Sequence, residues 1–151
     1  MEQIIQLNSQ AKLSEHFSLG EFTKSGSHPE VYNIPSHEAI ANLKRLCGWL
    51  EVLRERYGEP IRINSGYRSP QLNRKIGGAP TSNHLTGCAA DIRVAGMEQA
   101  IRYAVILLDY ADESKQEFDE LLIERNRYGA MWVHFAVRPS NNRRKISFIQ
   151  T

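Results

Sequence analysis

The chain has 151 residues, enough for one domain with a single core, and its 41% hydrophobic and 24% charged residues are ordinary for a folded protein. Nineteen basic and 17 acidic residues leave a formal charge of +2, too balanced to argue for a nucleic-acid partner. No stretch approaches the roughly 18 apolar residues of a membrane span, and the first ten residues lack the basic flank and apolar run of an export signal. Two cysteines, Cys47 and Cys88, are too few for a disulfide framework in so small a protein.

In chain order, residues 1–13 read as a strand or a loose arm. Phe17, Leu19 and Phe22 then anchor a short segment over 14–22, and 23–35 is loop, rich in Ser, Gly, His and Pro. Ser36 is placed to cap a helix that Gly58 ends, with Ile40, Leu43, Leu46, Cys47, Leu50 and Leu53 at helical spacing. Cys47 is thereby expected as a buried thiol. A short strand follows over 61–64. Next come a turn from Ser65 to Pro70 and a short helix from Pro70 to Ile76. Residues 81–87 read as loop, 88–94 as a buried strand, and 96–109 as a helix with Ile101, Val105 and Leu108 on its apolar stripe. Strands are expected over 118–124, 132–137 and 145–149. The strands bunch late without a regular βαβ rhythm, so the predicted class is α+β, a single domain with a central antiparallel sheet packed with helices.

Chemistry concentrates in three places. His84 sits in a polar loop and Asp91 in the strand after it, with Gly87 free to turn the backbone between them. A carboxylate in the apolar context of Ala89, Ala90 and Ile92 is costly unless paired or metal-bound. Strand alternation puts Trp132, His134 and Ala136 on one face, and a histidine in so apolar a strand must find a partner. Taken singly, Asp91 also reads as an acceptor for turn amides and His134 as a hydrogen-bonded core residue. Taken together, two imidazoles and one carboxylate are a three-ligand set that suits zinc and leaves a position open. Cys88 is a weaker ligand candidate between them.

Pairing Leu122 with His134 in a hairpin also pairs Glu124 with Trp132, which brings Glu124 to the face of His134 as a candidate general base. Asp119 and Glu120 are weaker candidates for that role. Arg68, in a tight turn, is suited to grip a carboxylate or stabilise an oxyanion. Ser82 is a candidate donor to substrate or else a loop cap. Arg143, Arg144 and Lys145 read as a solvated basic turn before the last strand.

These residues together resemble the zinc D-alanyl-D-alanine metallopeptidase family, in its small phage-associated and bacterial branch. The pattern S-x-H-x-x-G-x-A-x-D is matched by Ser82, His84, Gly87, Ala89 and Asp91, and a later W-x-H by Trp132 and His134. The stretch from Ser65 to Ser69 is similar to the family's SGYRS segment, Gly77-Gly78 to its GG, and Leu13 to Phe17 with Glu21-Phe22 to its opening. The resemblance spans about residues 13–149 and implies the fold shared with lysostaphin-type peptidases and the Hedgehog signalling domain. It implies one zinc ion on His84, Asp91 and His134, with Arg68, Ser82 and Tyr67 on the substrate side. Many members carry Glu three residues before the last His, where this chain has Met131. The small branch has instead a strand of the type DQLIxE, similar here to the run from Asp119 to Glu124 with Glu120 where Gln is common, so Glu124 is the expected acid/base.

The implied activity is zinc-dependent hydrolysis of D-amino-acid-containing bonds in peptidoglycan stem peptides, as carboxypeptidase or endopeptidase. The alternative is a non-catalytic zinc-containing wall-binding or phage structural module. The expected partner is the peptidoglycan peptide, without nucleic acid or membrane span. The protein is expected to be a monomer, synthesised in the cytoplasm and acting at the cell wall.

Overall fold

The computed structural model describes residues 8–151, so the first seven residues of the predicted arm lie outside the described residues. Helix α1 is His37–Tyr57; the Ser36 side chain accepts from the Ala39 amide, and Gly58 closes the helix at φ 87°. Both ends are where the cap residues place them. The predicted stripe is the buried one: Leu43, Leu46, Cys47, Leu50 and Leu53 are fully enclosed. Burial pushes the Cys47 thiol up, so it is an inert core group. Helix α2 is Pro70–Lys75, capped by Ser69, and helix α3 is Met97–Ser114.

Helix α3 runs five residues past its predicted end, and its buried side differs from the predicted stripe. Ala100, Tyr103, Leu107 and Ala111 are buried, whereas Ile101 and Val105 are 49% exposed. The aromatic pairs decide this orientation: Tyr103 meets Tyr57 edge-on at 4.8 Å and Tyr110 meets Trp49 at 5.0 Å, both across to α1. A periodicity count that weights aliphatic residues does not register that docking.

Five strands form one sheet: β1 (Ile63–Ser65), β2 (Ala89–Arg93), β3 (Glu120–Arg125), β4 (Met131–Ala136) and β5 (Lys145–Gln150), in the order β1-β2-β4-β3-β5. The first four pair antiparallel, as expected, but β5 runs parallel to β3, so the sheet is mixed. The cause is the short connection after β4. Ala136 lies opposite Glu120 at the start of β3, and the chain wraps around that start, where the Arg144 and Lys145 amides donate to Phe118 and Asp119. A strand that begins there on the far side of β3 can only run alongside it.

Register then sorts the two faces. Ala90, Phe135 and Leu121 align across β2, β4 and β3, as do Ile92, Val133 and Ile123, and this face packs on the helices. The opposite face carries Asp91, His134 and Leu122 in one row, with Ala89, Ala136, Glu120 and Lys145 on one side and Arg93, Trp132 and Glu124 on the other. Asp91, His134, Glu120 and Glu124 therefore all stand on the face away from the helices. Among the described residues no helix is long and apolar enough to cross a membrane.

Candidate metal centre

The residues 82–87 form a compact turn, with a 3₁₀ segment Asn83–Thr86 where loop is expected. The Ser82 hydroxyl accepts from the His84 amide at 3.1 Å, which is the cap reading of Ser82; the side chain also lines the cavity described below. Gly87 has φ 74°, and a Cβ there would stand 2.5 Å from the Ala39 carbonyl oxygen on α1. Only glycine combines that backbone with that approach. The turn is thus pressed on α1, and the Asn42 amide ties it down by donating to the Thr86 carbonyl at 2.9 Å.

His84 points from this turn to the sheet. Its Nδ1–H donates to the Gly66 carbonyl at 2.6 Å, which leaves the Nε2 lone pair facing Asp91 Oδ1 at 3.2 Å. His134, on β4, presents Nδ1 to the same oxygen at 3.0 Å. One ligand atom from each of His84, Asp91 and His134 lies within 4.8 Å of the others, and the three residues are 2%, 9% and 7% exposed. Burial alone would raise the Asp91 carboxyl, but the His84 and His134 imidazoles outweigh it and hold the group well below the usual carboxylate range. Burial opposes a charge on His134, yet its hydrogen bonds to Asp91 and Glu120 push it up to about 9. Two imidazoles converging on a buried carboxylate, each with its outer ring nitrogen already engaged, fit a divalent cation of zinc type. Cys88 is buried and is not part of this cluster.

The cluster opens into a cavity of about 400 Å³ whose lining includes Arg68, Ser82, Asn83, Glu120, Glu124, Trp132, Arg138, Arg143 and Lys145. Glu124 stands on the wall, with Oε2 accepting from the Trp132 indole N–H at 3.0 Å. The predicted pairings, Leu122 with His134 and Glu124 with Trp132, are the observed ones. Burial, reinforced by the Asp91 charge, pushes the Glu124 carboxyl up. Arg68 reaches in from the opposite side, donating to Ser65 Oγ at 3.2 Å, Asn73 Oδ1 at 3.5 Å and Asp91 Oδ2 at 3.2 Å. Burial works against its charge, and Asp91 and Glu124 partly offset that.

Tyr67 takes a different place from the one expected of it. Its side chain belongs to the hydrophobic core and does not line the cavity. The backbone of that turn is what serves the site: Gly66 accepts from His84, and the Arg68 amide donates to the His84 carbonyl at 2.9 Å. The basic turn is also more than solvated. Arg143 forks onto the fully buried Asp119, with Nε and Nη2 at 3.0 and 2.8 Å, and Arg138 joins it at 3.2 Å. Asn83 and Arg138 do not stand out from the sequence. Asn83 donates to Asp119 at 2.7 Å and to Glu120 at 2.6 Å, and accepts from Arg138 at 2.9 Å. Their only sequence signal is adjacency: Asn83 precedes His84, and Arg138 follows β4.

The Peptidase M15 family matches the chain over residues 15–128. The chain belongs to the peptidase M15 family. His84 and Asp91 lie inside the matched stretch, and His134 just beyond it. Among curated proteins, the zinc D-Ala-D-Ala carboxypeptidase of Streptomyces albus G is 31% identical over 90 residues, which cover 59% of this chain and 35% of that protein. The chain thus spans about a third of that relative's length. Among solved structures, the L-Ala D-Glu endopeptidase ChiX of Serratia marcescens is similar with a TM-score of 0.44 and 18% identity, over 74% of this chain and 96% of that one.

Proposed function

We propose that this peptidase M15 member is a zinc-dependent peptidase that hydrolyses D-amino-acid-containing peptide bonds of peptidoglycan stem peptides. The observation that carries the reading is the convergence of His84, Asp91 and His134 at a cavity whose walls hold Glu124 and Arg68. The family and the carboxypeptidase relative support the choice of metal and substrate. His84 Nε2, an Asp91 carboxylate oxygen and His134 Nδ1 would hold the ion. Zinc so bound supplies Lewis acidity, polarising a carbonyl and making water a nucleophile near neutral pH.

Glu124 is the proton carrier in this proposal. Trp132 fixes Oε2, and Oε1 remains to accept a proton from the attacking water and return it to the leaving amine. A carboxyl raised by burial is better matched to that exchange than one in open water. Glu120 is unsuited, because its Oε1 is engaged by His134 and Asn83 and its Oε2 is paired with the Arg143 guanidinium at 3.5 Å. Met131 is unsuited as well, for by alternation it shares the core face with Val133 and Phe135. Arg68 uses three of its five N–H groups on Ser65, Asn73 and Asp91; the remaining two are for a substrate carboxylate or the developing oxyanion. Ser82 adds a hydroxyl on the same wall. The protein is proposed to act as a single-domain monomer at the cell wall.

Purified protein should carry one zinc per chain and release shortened stem peptides from muropeptides, read by mass spectrometry. Chelation should abolish cleavage and zinc should restore it. Cleavage that survives chelation, or zinc-loaded protein without turnover, would refute the proposal, the latter in favour of a non-catalytic wall-binding module.

A further inference from the structure

We propose that Glu120 is a positioning residue for His134: its carboxylate takes the imidazole Nε2–H and so turns the Nδ1 lone pair into the metal cluster. The inference rests on the zinc reading above. His134 lies between two carboxylates, with Nδ1 at 3.0 Å from Asp91 Oδ1 and Nε2 at 2.9 Å from Glu120 Oε1. A neutral imidazole offers one lone pair and one N–H, on opposite sides of the ring. A cation beside Asp91 requires the lone pair at Nδ1, and the proton then has to sit at Nε2, where Glu120 accepts it. A carboxylate in that place fixes the tautomer and the ring plane and makes the ligating nitrogen more basic.

Glu120 is itself held in place. Asn83 Nδ2 lies 2.6 Å from its Oε1, and Arg143 Nη2 lies 3.5 Å from its Oε2. Asn83 and Arg143 are in turn locked on Asp119, which is fully enclosed. The basic turn before β5 thereby reaches the metal cluster in two steps, the Arg143–Glu120 ion pair and the Glu120–His134 hydrogen bond. The two glutamates of β3 share a face but not a task. Glu124, four residues along, is bonded to Trp132 and to neither imidazole of the cluster. One carboxylate orients a ligand, and the other stays free for proton transfer.

The test uses the full chain, stripped of metal and titrated with zinc against a chromophoric chelator. Glu120→Ala should bind zinc about 10–100-fold more weakly than wild type. Glu120→Gln, whose amide oxygen can accept the same bond, should stay within about fivefold. Cobalt-loaded Glu120→Ala should show shifted visible bands relative to wild type, a signature that a loss of stability alone does not produce. A second measurement needs no variant: two-bond proton–nitrogen NMR correlations in the zinc-loaded wild type should show His134 as the Nε2–H tautomer. Zinc binding by Glu120→Ala within about twofold of wild type, or an Nδ1–H tautomer, overturns the inference while leaving the zinc reading intact. A wild type that binds no zinc overturns both.

Discussion

Replacing Asp119 by Asn should cost about 2–3 kcal/mol of folding stability at pH 7, and the cost should vanish in acid. Asp119 is fully buried and accepts from the Arg143 amide, Nε and Nη2, from Asn83 Nδ2, and pairs with Arg138 Nε. Charge-assisted bonds of this kind contribute roughly 1.5–3 kcal/mol each. The Arg143 and Arg138 side chains are 49% and 32% exposed and Asn keeps one carbonyl oxygen as acceptor, so water and the surviving bonds replace most of that sum and the net is that of one such bond, about 2–3 kcal/mol. Burial works against the Asp119 charge, but bonds from Arg143 and Asn83 outweigh it and bring the carboxyl down to about 2. Its unfolded value is about 4, and that gap corresponds to on the order of 2 kcal/mol. The two routes agree. Because the folded value is the lower one, the contribution is complete above about pH 4 and is lost as pH falls through about 2. The assay is urea unfolding followed by tryptophan fluorescence, comparing midpoints at equal slope from pH 7 to pH 2. The expected thermal shift at pH 7 is about 5–10 °C downward. A loss below about 0.5 kcal/mol at pH 7, or an undiminished difference near pH 2, would refute the argument.

Three further outcomes follow from the same geometry. Gly87→Ala should destabilise by about 2–4 kcal/mol, combining a left-handed φ with a Cβ that meets the Ala39 oxygen at 2.5 Å; denaturant midpoints measure it. Glu124→Gln keeps an acceptor for Trp132 but cannot take a proton, so kcat should fall by about 10²–10⁴ with zinc content unchanged, as steady-state kinetics and metal analysis would show. Zinc at about 100 times its Kd should add about 2.7 kcal/mol to the stability of the metal-free protein, seen as a rise in Tm that His84→Ala abolishes.

The fold was legible where one local rule decides an element. Ser36 and Gly58 bound α1 because a hydroxyl cap and a left-handed glycine, set at the two ends of a helical apolar stripe, are strongly favoured helix ends. The β3–β4 register was legible because a one-residue slip would send Leu121, Val133 and Phe135 to the wrong face. The direction of β5 was not, since it depends on where a connection of eight residues can reach after β4. The side of α3 that is buried depends on Tyr57 and Trp49, which are more than forty residues away in the chain.

The site divides in the same way, and the division has a physical reason. His84, Asp91 and His134 each carry a local anomaly, a polar group in a turn or an apolar strand that demands a partner, so each announces itself. The groups that hold them carry none. Asn83, Glu120, Arg138 and Arg143 are ordinary residues in ordinary places for a loop, a strand end and a basic turn. They become a network only because β5 wraps the start of β3 and brings the turn over Asp119. The unpredicted parallel strand and the unpredicted supporting shell are therefore one event. Arg143 reaches Glu120 because of the topology that the periodicity of 145–149 alone leaves open, and through Glu120 it bears on the orientation of His134.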